Sequence, residues 1–198
     1  MTFFNPISSK ATAQISLSFL ANLRLLFPAV LTTLVNGERV VKVTPNQLIS
    51  LRTFLKEHTG TSFSQLRDVT ALDAPERKRR FEVSYNLLSL QTAQRLTVVT
   101  SVAEGENLPS VVGIFPSAGW CEREVWDRFG VFFTGHPDRR RLLTSYGFKG
   151  HPLRKDFPLT GYIEIRYDER RKRVVHEPVS LAQEFRQFTL ESPWGASL

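Results

Sequence analysis

Helical spacing and alternation of apolar residues divide the first part of the chain into short elements. The apolar run from Ile15 to Val35 contains Arg24 near its middle and Pro28 further on. An arginine at the centre of a membrane span is costly, so the run predicts an amphipathic helix rather than a span. Two apolar segments then flank Asn36-Gly37, a dipeptide typical of a two-residue hairpin turn. The chain is therefore predicted to begin with a helix followed by a β-hairpin.

The next segment carries a second helix and three strands. Thr44 is a typical N-cap residue and Pro45 suits the first helical position, which predicts a helix that ends near His58. Leu108-Pro109 is interpreted as the start of a further short helix. Three strands are predicted, at Leu66–Leu72, Arg80–Leu88 and Arg95–Val102. The order of elements predicts an α+β fold, a mostly antiparallel sheet with two or three packed helices.

Residues 119–167 combine aromatic and charged side chains at high density. Of the 22 aromatic residues in the chain, 11 lie between Phe115 and Tyr167. Trp120 to Phe129 have helical spacing, and Gly130 is suited to end that helix. Prolines and glycines then interrupt every regular pattern, so the residues that follow are predicted to be extended. Because charged residues are rarely buried unless paired, this stretch is expected to lie against its own domain or a partner protein.

The last part of the chain is predicted to form an arm. Tyr162–Tyr167 and Arg173–His176 are expected to pair as a hairpin across a charged turn, and a capping-box pattern at Ser180 predicts a short helix over Leu181–Phe188. The aromatic tail that follows has little chain left to bury it, so we expect it to pack on a neighbour. The predicted organisation is an N-terminal tail (1–14), an α+β domain (15–135) and an extended, partner-wrapping arm (136–198).

Charge narrows the possible partners. The formal net charge is +7, which favours an acidic or polyanionic partner. It is spread evenly, whereas nucleic-acid modules usually concentrate their charge on one patch. The densest basic runs, Arg77–Arg80 and Arg170–Arg173, are more often solvated turns or strand edges. A basic RNA- or ribosome-associated protein stays open as an alternative, and its binding would weaken steeply with added salt.

Catalytic chemistry has little support. A single cysteine, Cys121, cannot supply the thiolates of an iron–sulfur cluster or a structural zinc site, and the four histidines lack metal-ligand spacing. A soluble enzyme using Glu122, His136 or His151 is a third, less favoured alternative. Carboxylates and arginines on one helix more often form ion pairs. The predicted i,i+4 pairs are Glu124 with Arg128 and Arg123 with Asp127.

These motifs occur in one order that resembles a known family. They read GWCEREVWDRFGVFF at 119–133, HPDRRRL at 136–142 and GHPLRKDFPLTGY at 150–162. The pattern resembles the thirty-kilodalton subunit of complex I, the proton-pumping NADH:ubiquinone oxidoreductase, and RKRRFEVSYNLL at 77–88 is similar to its mitochondrial branch. The resemblance implies that the motif residues form a partner interface. They are Glu122, Arg123, Glu124, Asp127, His136, Asp138, Arg140, His151, Arg154, Lys155, Asp156, Tyr162, Arg166 and Trp194.

The resemblance also implies a role without an active site. Members of this family are structural subunits of the quinone-reducing module, while electron transfer from NADH to ubiquinone belongs to the whole complex. FMN, the iron–sulfur clusters and ubiquinone are then expected on neighbouring subunits. The expected partners are the forty-nine-kilodalton subunit and the subunit of the terminal cluster, in a hetero-oligomer without nucleic acid. The expected location is the matrix side of the mitochondrial inner membrane, with membrane contact only through the complex.

Overall fold

The computed structural model of the chain describes residues 17–35, 38–184, 186 and 188. None of the helices in these ranges has the length and apolarity that a membrane crossing requires. The helices are α1 (Leu17–Leu26), α2 (Leu48–Glu57), preceded by a 3-10 turn at Pro45–Gln47, and α3 (Ala118–Phe129). The strands are β1 (Leu31–Val35), β2 (Glu38–Val43), β3 (Gln65–Asp73), β4 (Phe81–Leu88), β5 (Arg95–Val102), β6 (Leu108–Pro109), β7 (Phe133–Thr134), β8 (Ile163–Asp168) and β9 (Arg173–Pro178).

Five strands form one sheet in the order β1-β2-β5-β4-β3. β2 and β5 are parallel, and the other neighbours are antiparallel. The predicted α+β class, with a mostly antiparallel sheet and two or three helices, is confirmed. The predicted first hairpin is present, because Val35 pairs with Glu38. Its turn, Asn36-Gly37, lies outside the described residues.

One face of the sheet carries the core. Phe81, Val83, Tyr85 and Leu87 alternate with half-buried residues along β4, and all four are buried. Side chains of a strand alternate between its two faces, so these four lie together on one face. The apolar residues of the three helices join the same core cluster, among them Leu23 of α1, Leu48, Leu51 and Leu55 of α2, and Val125 of α3.

One local prediction in this unit is wrong. Leu108-Pro109 starts no helix; these residues form β6, which pairs in parallel with β7. The backbone N–H of Leu108 donates to the carbonyl of Phe132 at 2.9 Å, a partner too distant along the chain for a local pattern to reveal. The predicted start of the second helix is confirmed in position, with Thr44 as N-cap and Pro45 in the first turn, but that turn is 3-10 and the Thr44 side chain makes no capping hydrogen bond; α2 itself spans Leu48–Glu57.

The chain divides into two compact units, one ending at Phe157 and one beginning at Pro158. The sequence predicted that the arm starts at residue 136. Residues 136–157, the anchored segment, belong to the first unit instead, because hydrogen bonds join them to α3 and to the end of β3. The predicted tail, residues 1–14, lies outside the described residues.

The second unit contains the predicted hairpin. β8 and β9 pair in antiparallel fashion, with Tyr167 opposite Val174. The helix predicted over Leu181–Phe188 is wrong for residues 181–184, which are exposed and non-helical. A helix this short is marginal in water unless it packs against other structure, so a capping pattern alone does not establish it. The aromatic tail with Trp194 lies outside the described residues.

Candidate functional site

α3 holds a fully buried carboxylate near its beginning. One oxygen of Glu122 accepts a hydrogen bond from the Val111 backbone N–H at 2.8 Å, and the other accepts one from the Ser110 hydroxyl at 2.6 Å. His136 Nε2 lies 3.8 Å from the same carboxylate. Burial raises the pKa of Glu122 because the charged form is desolvated. Through its two hydrogen bonds, Glu122 joins residues 110–111, which precede α3, to the helix.

A second buried carboxylate, Asp127, lies further along α3 and binds the loop at residues 141–144. Its oxygens accept the backbone N–H groups of Leu142, Leu143 and Thr144 at 3.2, 2.8 and 2.9 Å. They also accept the Thr144 hydroxyl at 2.7 Å and the Arg141 guanidinium at 3.0 Å. Burial by itself would raise the pKa of Asp127, but these hydrogen bonds outweigh it and lower the pKa to about 2.

Asp73, at the end of β3, holds the far end of the anchored segment. Its carboxylate accepts two hydrogen bonds from the Arg80 guanidinium, at 2.7 and 2.8 Å, and the backbone N–H of Lys155 at 2.8 Å. Arg80 also forms an ion pair with Asp156 at 3.1 Å. The hydrogen bonds from Arg80 lower the pKa of Asp73 and that of Asp156. A bidentate arginine–carboxylate pair fixes orientation as well as distance.

The C-terminal end of α3 closes against the middle of the anchored segment. Gly130 takes a left-handed conformation, with φ of 77°. A Cβ atom there would lie 2.6 Å from the Arg154 guanidinium and 2.7 Å from the His151 ring. Arg154 Nε donates to the carbonyl of Phe129 at 2.6 Å, and His151 Nδ1 lies 3.0 Å from the carbonyl of Asp127. Burial lowers the pKa of His151. Both side chains satisfy carbonyls that the end of the helix leaves free.

The beginning of the anchored segment is bonded to α3 by Arg123 and His136. Arg123 Nε donates to the carbonyl of Arg140 at 3.0 Å, and its guanidinium lies 3.4 Å from the Asp138 carboxylate. Asp138 is paired in turn with Arg140 at 2.9 Å. His136 Nε2 lies 3.1 Å from the carbonyl of Gly119, and its Nδ1 accepts the backbone N–H of Asp138. The imidazole therefore serves as a bridge between backbone groups.

Comparison with known proteins identifies the family. Residues 41–163 match the family model of the respiratory-chain NADH dehydrogenase 30 kDa subunit. The chain belongs to this family. It is 56% identical over 158 residues to NADH-ubiquinone oxidoreductase subunit 9 of Reclinomonas americana, covering 80% of this chain and 78% of that one. The resemblance seen in the sequence is confirmed.

Further relatives show a similar degree of identity. A subunit of the NADH-quinone oxidoreductase of Rhodobacter capsulatus is 56% identical over 160 residues, 81% of this chain and 80% of that one. NADH dehydrogenase [ubiquinone] iron-sulfur protein 3 of Beta trigyna is 60% identical over 147 residues, 74% of this chain and 77% of that one. A chain of an archaeal respiratory complex, the membrane-bound sulfane sulfur reductase, has the same fold, with a TM-score of 0.62 at 23% identity over 72% of this chain and 85% of that one.

In this member of the 30 kDa family, more of the motif residues form hydrogen bonds and ion pairs within the chain than the sequence indicates. Glu122 and Asp127 are fully buried, and His136 nearly so. The predicted pair of Glu124 with Arg128 is present at 3.3 Å. The predicted pair of Arg123 with Asp127 is wrong, because each of these side chains turns to the anchored segment instead. Lys155 takes part through its backbone N–H, and its side chain is exposed. Tyr162 and Arg166 lie in the second unit, and Trp194 is outside the described residues.

Several residues of the network were not predicted from the sequence. Arg80 belongs to a basic run that was interpreted as a solvated turn, yet it bonds Asp73, Asp156 and Glu104. Asp73 and Thr144 carry no local signal: Asp73 meets Arg80 across the turn between β3 and β4 and Lys155 only in the folded chain, and the partner of Thr144, Asp127, lies on α3. For Thr144, its position inside the dense aromatic and charged stretch is the one signal that could have found it.

The outward side of this network presents apolar and aromatic side chains among exposed charged ones. Trp120 is 62% exposed, Leu143 is 53% exposed and the Tyr146 side chain is fully exposed. Among the described residues, no group of three or more histidine, cysteine, aspartate or glutamate side chains is placed to hold a metal ion. The histidines and buried carboxylates of the network bind backbone groups. The arrangement is suited to holding a rigid surface for another protein.

Proposed function

We propose that this chain is a structural, noncatalytic subunit of the quinone-reducing module of complex I, the NADH:ubiquinone oxidoreductase. Electron transfer from NADH to ubiquinone is then a property of the whole complex. FMN, the iron–sulfur clusters and ubiquinone are held by neighbouring subunits. The contacts are made chiefly with the forty-nine-kilodalton subunit and the subunit of the terminal cluster. Membership of the 30 kDa subunit family supports this assignment.

The observation that carries the proposal is the anchored segment. Two buried carboxylates, Asp127 and Asp73, bind its backbone at residues 142–144 and at Lys155. Segments without regular structure are rarely held so firmly unless their surface has a function. The exposed residues of the anchored segment include aromatic and arginine side chains, which are enriched at interface hot spots. Tyr146 and Arg140 are the clearest examples, with side chains that are almost wholly exposed.

The hairpin of the second unit supports the same role. Ile163, Ile165, Tyr167 and Val174 lie on one of its faces and are each more than half exposed. An isolated two-stranded hairpin is marginally stable in water, so an uncovered apolar face is a reason to expect a partner there. The opposite face carries the ion pair of Arg166 with Glu177 at 2.6 Å. A protein partner that covers the apolar face would stabilise the hairpin.

This role places the chain on the matrix side of the mitochondrial inner membrane, attached to the membrane through the complex. The excess of basic side chains, +7 in total, is suited to acidic surfaces on neighbouring subunits. The internal charge network then acts indirectly, by positioning the exposed residues rather than by contacting the partners.

The test is assembly in membranes. Membranes from cells that carry this chain are solubilised with detergent, separated on a native gel, stained for NADH dehydrogenase activity and probed for the chain. The chain should migrate with a large active band. Tyr146→Ala and Ile165→Asp should each reduce the fraction of the chain in that band, while the full-length variants keep the unfolding midpoint of the wild type.

Leu90→Ala is the matched control, because Leu90 is also exposed and apolar, at 69%, but lies in a turn between β4 and β5. This variant should assemble normally. A chain that migrates alone, or that follows ribosomes in a salt-sensitive manner, would contradict the proposed function.

A further inference from the structure

The outer edge of the five-stranded sheet at β1 has an apolar surface. Leu31, Leu34 and Val35 are 64, 68 and 51% exposed, and the strand, LTTLV, contains no charged residue. Within the described part of the chain, no strand pairs with the outer side of β1. Edge strands of soluble proteins are usually protected by charges, prolines or bulges. β1 itself contains none of these, and the charged group bonded to its outer side is the Arg24 guanidinium, at Thr32. The rest of the edge is therefore suited to pairing with another strand.

The register of the hairpin shows which backbone groups face outward. Val35 pairs with Glu38 across a two-residue connection, and such a closing pair exchanges hydrogen bonds. Because inward and outward groups alternate along an antiparallel strand, Thr32 and Leu34 direct their N–H and C=O groups away from β2. The Arg24 guanidinium donates to the carbonyl of Thr32 at 3.2 Å, as expected for an outward carbonyl. Arg24 thus takes the Thr32 carbonyl, while the N–H of Thr32 and the N–H and C=O of Leu34 offer backbone hydrogen bonds together with apolar side chains.

The charges around this edge indicate what kind of strand it would accept. Arg24, Arg39 and Lys42 lie on or beside β1 and β2, and Glu38 is the one acidic residue of these two strands and α1. Arg24 and Lys42 are exposed. A second copy of the chain would bring the same excess of positive charge to the contact, which disfavours self-pairing. An incoming segment with carboxylates beside its apolar residues is complementary.

We propose that the outer edge of β1 is a second docking site, at which an extended segment of another subunit, apolar with acidic residues, adds a strand to the sheet. Backbone hydrogen bonds to Leu34 and to the Thr32 N–H would supply affinity, and Arg24 and Arg39 would select for carboxylates. The proposal rests on the proposed function only in that the partner belongs to the same complex. It concerns a surface other than the anchored segment and the hairpin.

Leu34→Asp tests the site, with Leu90→Asp as the matched control at nearly equal exposure. A carboxylate enclosed in the new interface would lose its water and face the carboxylates of the incoming strand, so Leu34→Asp should lower the fraction of chain in the complex on the order of tenfold. Leu90→Asp should leave it unchanged. Circular dichroism of the full chain should show wild-type unfolding for both variants, since both side chains point into solvent.

Photo-crosslinking identifies the occupant. A photoreactive amino acid at position 34 of the chain in the purified complex should crosslink to one other subunit, at a peptide that contains apolar residues and carboxylates. The same amino acid at position 90 should not give that product. Crosslinks to residues 1–16 of this chain, to a second copy, to lipid or to a basic peptide would each overturn the proposal, as would normal assembly of Leu34→Asp.

The two proposals can fail separately. If Tyr146→Ala and Ile165→Asp impair assembly while Leu34→Asp does not, the docking site at β1 is refuted and the proposed function stands. If the chain is absent from the active complex altogether, the proposed function fails, and the docking proposal is overturned with it because its partner is a subunit of that complex.

Discussion

Asp127 binds both hydrogen-bond donors of Thr144: its carboxylate accepts the Thr144 backbone N–H at 2.9 Å and the Thr144 hydroxyl at 2.7 Å. This joins the last turn of α3 to a loop that has no regular structure of its own. Since hydrogen bonds to a charged acceptor contribute more than neutral ones, the loop is held firmly by a single side chain. The position of the exposed residues nearby, including Tyr146, thus depends on a carboxylate that no partner can touch.

Replacement of Asp127 should therefore destabilise the chain. Asp127→Asn removes the charge and one acceptor while keeping the shape, which leaves the Arg141 guanidinium and backbone N–H groups without a full partner. We expect the free energy of unfolding to fall by about 3 kcal/mol, measured by urea denaturation of the full chain. Glu124→Gln on the same helix, at a partly exposed ion pair, should cost no more than about 0.5 kcal/mol. Equal effects of the two variants would contradict the assigned role of Asp127.

Asp127 should also contribute to the way in which the stability of the chain depends on pH. The pKa of Asp127 is lowered from 3.8 to about 2 in the folded chain, so its contribution is present above pH 3.8 and is lost as the pH falls through about 2. The side chain is fully buried, and the contribution amounts to at most about 2 kcal/mol. In Asp127→Asn the stability should fall less steeply between pH 4 and pH 2 than in the wild type. Parallel curves over that window would rule out this contribution.

Glu122 should behave in the opposite way. Burial raises its pKa above 4.5, so the folded state prefers the protonated carboxyl. That preference stabilises the fold below pH 4.5 and is lost as the pH rises through the folded pKa. Glu122→Gln keeps a neutral side chain at every pH, so relative to the wild type it should be less favourable at pH 4 than at pH 7. Urea denaturation at the two pH values measures the difference, and a variant whose relative stability does not change with pH would be evidence against it.

Gly130 and Gly135 form a matched pair for testing the end of α3. Both have left-handed φ angles, 77° and 79°, but a Cβ at Gly130 would collide with Arg154 and His151, whereas nothing lies within 4 Å at Gly135. Gly135→Ala measures the cost of the backbone conformation alone, about 1 kcal/mol. Gly130→Ala should cost at least about 1 kcal/mol more, because the hydrogen bond from Arg154 to Phe129 must move. The difference in thermal unfolding midpoint between the variants is the measurement, and equal midpoints would show that Arg154 relaxes without cost.

Local periodicity predicted the main helices and strands correctly, because the spacing of apolar residues reflects which face of each element is buried. The alternation along β4 identified a strand with one buried face, and the Asn36-Gly37 dipeptide identified the hairpin between β1 and β2. Gly130 was correctly predicted to end α3. Where the stabilising contact comes from a remote part of the chain, the same reasoning failed. The pairing of Leu108 with Phe133 is one such case, and the exposed residues at 181–184 show a cap pattern without packing.

The sequence by itself determined the family, the α+β class and the concentration of charged and aromatic residues between residues 119 and 167, since all three depend on residue identity and order. Only the tertiary structure decided which partner each charge takes. Arg123 and Asp127 have the spacing of a helix ion pair, but the loop at 140–144 offers both of them backbone groups. For Asp127, which is fully buried, an unsatisfied carboxylate would be especially costly. Spacing along one helix cannot reveal such a partner, because it is brought close only when the chain folds.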